Sequence, residues 1–454
     1  MIFFFIFFVD VLLFILAPTS MDKSYMVTVL GIAFYTLVIY LRDCNRTGFK
    51  LKHVRLRHSV FFLICFFIVF FQCDLDYVLG IVDNNDVYLW INEKAVSKSL
   101  AISNLALISF IIGYRKYNGQ EVFKPSVLII SNSAKKTLSL ITLGLIVLYI
   151  VIVPRDYLSN GYQRGIDAGG ASVIMGYLQA CFISLFTIYS MSYSEDKYQS
   201  WSSYFKKPLV LAVLYSILIL VTGRRTEVIR VASVLLIAYL YCRYETVRYK
   251  KLLIYGFIGI LLFSIQGALR AIESGSVMES VNLINQYQSI SPFTREYAGS
   301  VNTLHIAVEN YPSKFDYNYG QTFFPSFFKI IPGLYYFYET YIIQDYVPTS
   351  GEIFTDIYFS GDKIWGLGSS ILADIYISFG VIGICLILMI FGYFVKYLEI
   401  STFVKRSSPY VIALSFSTYS AFLFACRSSM SAIFLCWTYS CILIFIFTRK
   451  SISK

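Results

Sequence analysis

The sequence predicts an all-α, polytopic integral membrane protein with about 12 transmembrane helices and one long loop between the ninth and tenth. Hydrophobic residues make up 57% of the 454 residues and charged residues only 14%, whereas a soluble domain has about 25% charged residues. Most of the chain lies in apolar runs that approach the roughly 20 residues a helix needs to cross a bilayer. The short alternating pattern of a membrane β-barrel is not seen in the sequence.

Twelve apolar runs are the predicted spans, at approximately 2–17, 25–41, 59–81, 98–114, 137–153, 172–193, 208–222, 226–242, 252–268, 368–396, 409–425 and 432–447. The first run has no basic segment before it and no small-residue cleavage site after it, so we expect a retained helix. We therefore predict three regions: 1–268 with helices 1–9, a loop at 269–367 with short interfacial helices, and 368–454 with helices 10–12.

Charge alternates between successive loops and predicts the orientation of the chain. Lys and Arg concentrate in the segments 42–58, 115–136, 194–207, 243–251, 405–406 and 449–454. Positively charged loops stay in the cytoplasm, so both termini are expected there and the long loop is expected on the extracytoplasmic side. The net charge of +11 is therefore a topology signal, and we expect no nucleic-acid partner.

The sequence offers few signs of a metal or a nucleotide. None of the nine cysteines stands in a C-x-x-C pair, and no nucleotide-binding glycine loop is present. We expect no cofactor and no metal. A minor alternative is Asp74-Leu-Asp76, at the outer end of the third span, because paired acids of this kind can hold a metal ion.

The segment Thr222-Gly-Arg-Arg-Thr-Glu-Val-Ile-Arg230 separates two apolar runs. Its Arg224 and Arg225 stand at the predicted outer start of the eighth helix, beside free backbone N–H groups. Two guanidinium groups at such a position can bind a multiply charged anion such as diphosphate. The alternative is that both side chains reach lipid headgroups, while Glu227 pairs with Arg230 one turn later.

Further arginines are predicted on the same side of the membrane. They are Arg270 and Arg295 in the long loop, Arg427 between the last two spans, and Arg155 and Arg164 in the loop after the fifth span. Guanidinium groups can grip two oxygens at once, so this set favours oxyanion recognition. We assign Arg224, Arg225, Arg270, Arg295 and Arg427 to a diphosphate and Arg155 and Arg164 to a substrate loop; anchoring of a helix end is the alternative for Arg427.

Three residues are candidate general bases: Glu296, His305 and Asp374. All three are predicted on the outer side near apolar surroundings, and Asp374 lies six residues into the tenth span. Partial burial raises the pKa of a carboxyl group toward neutrality, as a general base requires. The alternatives are an ion pair between Asp374 and one of the arginines, and a surface position in the loop for His305.

Taken together, the twelve spans, Gly223-Arg-Arg-Thr226 at a helix start, the long outer loop, the segment Gly366–Gly380 and Arg427 resemble the O-antigen polymerases (Wzy), the oligosaccharide repeat-unit polymerases. The resemblance implies a GT-C-like glycosyltransferase at the outer face of the bacterial inner membrane. It implies that a growing chain on undecaprenyl diphosphate is transferred to the non-reducing end of a new repeat unit. Arg224 and Arg427 are the positions that carry over best from the family pattern.

The resemblance also implies the partners. These are the undecaprenyl-diphosphate-linked oligosaccharide and membrane lipid, with a chain-length regulator, a polysaccharide co-polymerase, as a candidate protein partner. O-antigen ligases share the architecture and remain an alternative. A repeat-unit flippase is a third interpretation, but transporters usually show internal repeats and broken helices, and the sequence predicts neither.

Overall fold

The computed structural model describes residues 2–46, 55–81, 93–117, 130–153, 170–193, 200–222, 224–243, 250, 298–323, 328, 334–338, 340–341, 348–359, 366–404, 408–428 and 431–448. Within these ranges the chain forms α-helices with short 3-10 and π segments, and no strand occurs there. The predicted all-α class is confirmed.

In the part of the chain that the structure describes, ten helices precede the predicted long loop. They are α1 (Ile2–Ile15), α2 (Lys23–Arg46), α3 (His58–Phe70), α4 (Gln72–Val78), α5 (Glu93–Lys116), α6 (Asn132–Ile152), α7 (Gly170–Met191), α8 (Trp201–Tyr204), α9 (Lys206–Val221) and α10 (Arg225–Arg243). The predicted spans before residue 243 therefore all coincide with helices. The predicted ninth span, 252–268, lies outside the described residues.

Among the described residues of the predicted long loop there are three α-helices: α11 (Val301–Asn310), α12 (Leu334–Tyr338) and α13 (Ser350–Phe359). Three more follow it: α14 (Ile371–Phe403), α15 (Pro409–Cys426) and α16 (Ser431–Thr448). Six helices of the described chain are long and apolar enough to cross a membrane, and the pair α3–α4, bent by 53°, makes a seventh if it is one span. This supports a polytopic membrane protein, while the number 12 and the three-region division stay predictions.

The helices α5 and α14 pack against each other at the centre of the bundle, and glycines allow their backbones to approach closely. A β-carbon added to Gly113 of α5 would lie 1.8 Å from the carbonyl oxygen of Met389, and one added to Gly392 of α14 would lie 2.0 Å from that of Phe110. Small residues at helix contacts are typical of membrane proteins, where close packing must replace the hydrophobic effect.

Helix α14 is broken at Gly380, where φ is 64° and ψ is −162°. Residues 371–378, before the break, are buried, whereas Ile382, Leu386 and Ile390 after it form an exposed apolar stripe. The 23 residues from 381 to 403 rise about 34 Å, enough to cross a hydrocarbon core of about 30 Å.

The break changes two expectations. Asp374 was predicted inside the tenth span but lies in the short first half of α14, before Gly380. The sequence also predicted no broken helix, and that prediction is wrong, since α14 is broken and α3–α4 is bent. The absence of broken helices therefore no longer counts against a transporter.

At the far end of α14 a buried carboxylate ties three helices together. Glu399 accepts hydrogen bonds from the Tyr114 hydroxyl of α5 at 2.7 Å and from the Ser59 hydroxyl of α3 at 2.8 Å. It also pairs with Arg57, whose Nε lies 3.4 Å from its Oε1. A paired and fully hydrogen-bonded carboxylate is the form in which a buried charge is tolerated.

Candidate functional site

The helix α11, which falls within the predicted long loop, is part of the protein core rather than a surface feature. Nine of its ten residues are buried, and it packs against α5, α13 and α14. The 3-10 turn Ala298–Ser300 that precedes it contacts α3 and α4. This part of the loop therefore folds into the bundle and brings its polar side chains to the Ser370 end of α14.

A line of polar contacts runs from Arg427 across α11 to α14. The Nε of Arg427, at the C-terminal end of α15, donates to the hydroxyl of Ser300 at 3.4 Å. The hydroxyl of Thr303 lies 2.8 Å from the carbonyl oxygen of Ser300 and 3.0 Å from the hydroxyl of Ser370. Ser370 is the N-cap of α14, where its side chain accepts from the backbone N–H of Ala373, as N-cap serines do.

Asp374 lies one turn beyond that cap and is fully buried. Its Oδ1 accepts a hydrogen bond from the Thr322 hydroxyl at 3.0 Å, and Thr322 is itself buried. The Ser378 hydroxyl bonds the backbone carbonyl of Asp374 at 2.8 Å. The carboxyl group is thus oriented by a residue of the long loop.

The loop segment that carries Thr322 is fixed to α14 through its backbone. The N–H of Asn318 donates to the carbonyl of Ile377 at 3.0 Å, and the N–H of Tyr319 donates to that of Ser378 at 3.2 Å. The break at Gly380 interrupts the helical ladder here, so the loop supplies hydrogen-bond donors to helix carbonyls beside the break. We call residues 317–323 the clamp segment.

His305 is on α11 and is 1% exposed. The alternative of a surface histidine in the loop is therefore wrong: the residue is helical and enclosed. Burial lowers the pKa of His305 to about 3, because an imidazolium ion would lose its hydration there. Burial therefore disfavours the protonated imidazole that a general base would become. The hydrogen bond from Thr322 orients the Asp374 carboxyl group, so Asp374 is favoured among the described base candidates.

Arg224 directly precedes the first turn of α10 and is partly buried, with Nη1 4.0 Å from the sulfur of Met175 on α7. Three residues into the helix, the pairing expected between Glu227 and Arg230 is present, with an Nη1–Oε2 distance of 3.3 Å. Arg230 is 7% exposed. It is therefore enclosed among helices, with Glu227 as its ion-pair partner.

Arg230 also connects α10 to the helices beside it. Its Nη2 lies 2.6 Å from the Cys436 sulfur of α16, and its guanidinium carbon lies 4.9 Å from the centre of the Phe424 ring of α15. The backbone N–H of Arg427 donates to the carbonyl of Phe424. Arg224 and Arg427 therefore stand at the same end of two helices that pack together.

Several predicted site residues cannot be compared with the structure. Arg155, Arg164, Arg270, Arg295 and Glu296 lie outside the described residues, as does the side chain of Arg225, whose backbone begins α10. The common binding of one anion by the predicted arginines stays a prediction. Of the predicted set, the described structure places Arg427, His305 and Asp374 around α11, with Arg224 on the helix next to that of Arg427.

The paired acids Asp74 and Asp76 lie on the helix α4. Side chains two positions apart on a helix do not face each other, and Asp76 accepts a hydrogen bond from Gln72 on its own helix at 3.0 Å. Across the described ranges, no group of three or more His, Cys, Asp or Glu side chains is arranged to hold a metal ion. The geometry therefore does not favour metal binding by this pair.

Sequence reasoning missed Ser300, Thr303, Ser370 and Thr322. Only Ser370 had a recognisable signal, because a serine directly before a long apolar run is typical of an N-cap. Hydroxyl residues in a long loop carry no pattern that indicates which of them will meet a buried carboxyl group. Glu352, a further acid of the loop, has a structural role, since its Oε2 accepts from the N–H and hydroxyl of Thr349 in a capping box at the start of α13.

Comparison with curated proteins and with solved structures found no match. The family model described as O-antigen polysaccharide polymerase Wzy matches residues 1–454, the whole length of the chain. This agrees with the all-helical structure and its candidate membrane spans. The chain belongs to the O-antigen polysaccharide polymerase family, Wzy, whose members join O-antigen repeat units by a glycosyltransferase-type reaction.

Proposed function

We propose that this protein polymerises O-antigen repeat units carried on undecaprenyl diphosphate, at the periplasmic face of the inner membrane. The growing chain is the donor, and a single repeat unit on the same lipid is the acceptor. The observation that carries the proposal is the polar network from Arg427 through Ser300, Thr303 and Ser370 to the first half of α14, which holds Asp374. It joins Arg427, proposed to bind the diphosphate, and a candidate base in one packed unit.

The proposed reaction is a displacement at the anomeric carbon of the donor. A hydroxyl oxygen at the non-reducing end of the acceptor forms the new bond to that carbon. The bond from the carbon to the diphosphate oxygen breaks, and its electron pair leaves with undecaprenyl diphosphate. The hydroxyl proton passes to the carboxyl group of Asp374 as general base.

Arg427 and Arg224 are the described residues proposed to stabilise the leaving diphosphate. Charge grows on that group as the bond breaks, and fixed guanidinium groups lower the energy of the transition state most where the charge develops. Arg225, Arg270 and Arg295 are proposed to act with them, and Arg155 and Arg164 to bind substrate. Glu296 stays a further candidate base.

Access to Asp374 requires a local movement of the residues that enclose it. The carboxyl group is fully buried, and Thr322 bonds its Oδ1. Loops that close over a reacting group keep water from it, and water would hydrolyse the donor instead of extending the chain. We therefore propose that acceptor binding exposes Oδ2 of Asp374 while Thr322 keeps its hydrogen bond to Oδ1.

The orientation proposed from loop charge agrees with the arrangement of α14. Its Ser370 end meets the long loop, and its other end meets Arg57 and the α5 terminus that carries Arg115 and Lys116. Basic helix ends are typical of the cytoplasmic side. The long loop would then be periplasmic and both chain termini cytoplasmic, with a chain-length regulator as the proposed protein partner.

One gel tests the proposal against the ligase, and an assay of purified protein tests it against the flippase. A deletion strain should make lipopolysaccharide with a single repeat unit per core, and the plasmid-borne gene should restore the ladder. Core with no repeat unit, together with lipid-linked polymer, would indicate the ligase. A normal ladder would refute the polymerase. Purified protein that extends lipid-linked repeat units in detergent would exclude a flippase.

A further inference from the structure

Tyr319 has a backbone conformation that tyrosine rarely adopts. Its φ is 50°, and it is the only non-glycine residue with positive φ in the described part of the chain. In this left-handed region a β-carbon crowds the following carbonyl, so glycine is the usual residue there. Glycine follows at position 320 with a φ of 86°, so the turn places a tyrosine where a second glycine would fit with less strain.

The surrounding contacts hold this strained conformation in place. The N–H of Tyr319 donates to the carbonyl of Ser378 at 3.2 Å, and that of Asn318 donates to Ile377 at 3.0 Å. The N–H of Gly320 donates to the side-chain oxygen of Asn318 at 3.1 Å. Backbone strain persists where neighbouring structure determines it, and such positions concentrate at functional sites.

The strained backbone does not bury the Tyr319 side chain. Tyr319 is 76% exposed, whereas Tyr317 and Phe323 in the same clamp segment pack against the hydrophobic core. Three residues after Tyr319, Thr322 holds the Asp374 carboxyl group. The clamp segment thus presents the ring of Tyr319 outward, on a backbone bonded to α14, three positions before the residue that bonds the Asp374 carboxyl group.

We propose that Tyr319 is a substrate-positioning residue that stacks its ring against the apolar face of a pyranose in the acceptor repeat unit. A pyranose has C–H groups on one face and hydroxyls at its edge. The flat tyrosine ring can cover that face while the sugar hydroxyls stay hydrated. The fixed backbone sets the distance from the stacked sugar to Asp374. This inference rests on the proposed function, since it concerns the acceptor of that reaction.

An exposed tyrosine in a membrane protein has another common use, which is to lie among lipid headgroups at the interface. The two roles differ in what they affect. An interfacial anchor contributes to the folded amount and to thermal stability in the membrane. A stacking residue contributes to the affinity for oligosaccharide, and its loss leaves the fold intact.

Replacement by glycine separates these roles, because Tyr319→Gly removes the ring and also relieves the left-handed strain. Tyr319→Phe and Tyr319→Trp keep a ring, and Tyr341→Ala removes a different exposed aromatic residue of the long loop, 66% exposed. The measurements are KM and kcat for lipid-linked repeat unit in detergent, and saturation-transfer NMR with the oligosaccharide that mild acid releases from those repeat units.

We expect Tyr319→Gly to raise KM for the acceptor about ten-fold and to weaken oligosaccharide binding by a similar factor. Its kcat should change less than about two-fold and its melting temperature should not fall. The Phe, Trp and Tyr341→Ala variants should resemble wild type. An unchanged KM in Tyr319→Gly, or an equal loss of binding in Tyr341→Ala, would overturn the inference, as would a Tyr319→Gly defect confined to the amount of folded protein.

Failure of the inference is distinguishable from failure of the proposed function. If wild-type protein extends repeat units and Tyr319→Gly does so with the same KM, the stacking role is wrong and the polymerase stands. If wild-type protein binds the oligosaccharide through Tyr319 but extends nothing, the stacking role stands and the polymerase is wrong.

Discussion

The hydroxyl of Thr322 donates a hydrogen bond to the carboxyl group of Asp374 at 3.0 Å, and both side chains are buried. The two residues are 52 positions apart in the chain. One belongs to the long loop and the other to the first half of α14. This contact therefore connects the position of the loop to the orientation of the proposed base.

Thr322→Val should lower chain extension while the protein still reaches the membrane. The change keeps the shape of the side chain but removes the hydroxyl that donates to Asp374. An unsatisfied buried carboxyl oxygen destabilises this arrangement by about 1–3 kcal/mol. We expect kcat to fall about ten-fold or more, measured as extension of lipid-linked repeat units in detergent. Thr322→Ser should retain most activity because it keeps the hydroxyl.

The control for this change is Thr187→Val. Thr187 is buried on α7, and its hydroxyl bonds the carbonyl of Ile183 on the same helix. Its replacement should leave kcat unchanged. Full activity in Thr322→Val at normal protein levels would show that the hydrogen bond does not orient the base.

Arg224 and Arg230 are one and two-thirds helical turns apart, and their replacements should have different effects. Arg230 pairs with Glu227 and contacts Cys436 and Phe424 in a buried position. Removing one partner of a buried ion pair costs about 3–5 kcal/mol. Arg230→Ala should therefore reduce the folded protein in the membrane, measured by size-exclusion chromatography in detergent.

Arg224→Ala should give normal amounts of folded protein with shorter polymer, because its proposed role is to stabilise the leaving diphosphate. Arg224→Lys should restore extension only in part, since an ammonium group cannot grip two oxygens in a fixed geometry. Arg427→Ala and Arg427→Lys should behave in the same way. Wild-type polymer length from Arg224→Ala and Arg427→Ala together would show that these arginines only anchor their helices.

The contact between α5 and α14 should tolerate no added side chain at two glycines. A β-carbon at Gly392 would lie 2.0 Å from a backbone oxygen of α5, and backbone cannot move aside as a side chain can. Core overpacking typically destabilises a fold by about 1–3 kcal/mol, and we expect Gly392→Val to destabilise this one by more. The folded fraction, measured by thermal unfolding in detergent, should therefore fall strongly. Gly144→Val on α6, where nothing lies within 4 Å of the added β-carbon, is the matched control. Normal stability of Gly392→Val would mean that the two helices are farther apart than described.

The helices were the most predictable part of the fold. Apolar runs long enough for a bilayer mark α2, α5, α6, α7, α14 and α15 directly, because insertion into lipid depends on composition and length. The break at Gly380 was not predicted, since a single glycine in an apolar run has no distinct signal. The break depends on contacts with Asn318 and Tyr319, more than fifty residues earlier.

The site was predictable as a list of residue types and not as an arrangement. The cost of ionisable groups near membrane depth selected Asp374 and Arg427 as candidates, and the structure places both next to hydroxyl residues of the predicted long loop. The same reasoning grouped Arg224 with Arg225 and treated Arg230 only as a partner for Glu227, although Arg230 is the buried arginine that joins three helices. Burial of His305 could not be foreseen, because the helix that carries it is enclosed by parts of the chain distant in sequence.

The burial of His305 predicts a specific dependence of stability on pH. Its pKa is about 3 in the folded protein and about 6.5 in an unfolded chain. Below pH 6.5 the unfolded state binds a proton that folded His305 does not bind, so the free energy of unfolding falls as the pH drops from 6.5 toward 3. At pH 5 this loss is about 2 kcal/mol relative to neutral pH.

His305→Leu removes the titrating group, so the melting temperature of wild type should fall relative to the variant between pH 7 and pH 5. The pH profile of kcat/KM should have no limb near 6.5 that depends on His305. Parallel melting curves for the two proteins across this range, or such a limb in wild type that His305→Leu abolishes, would show that the imidazole titrates in the folded protein and is open to water.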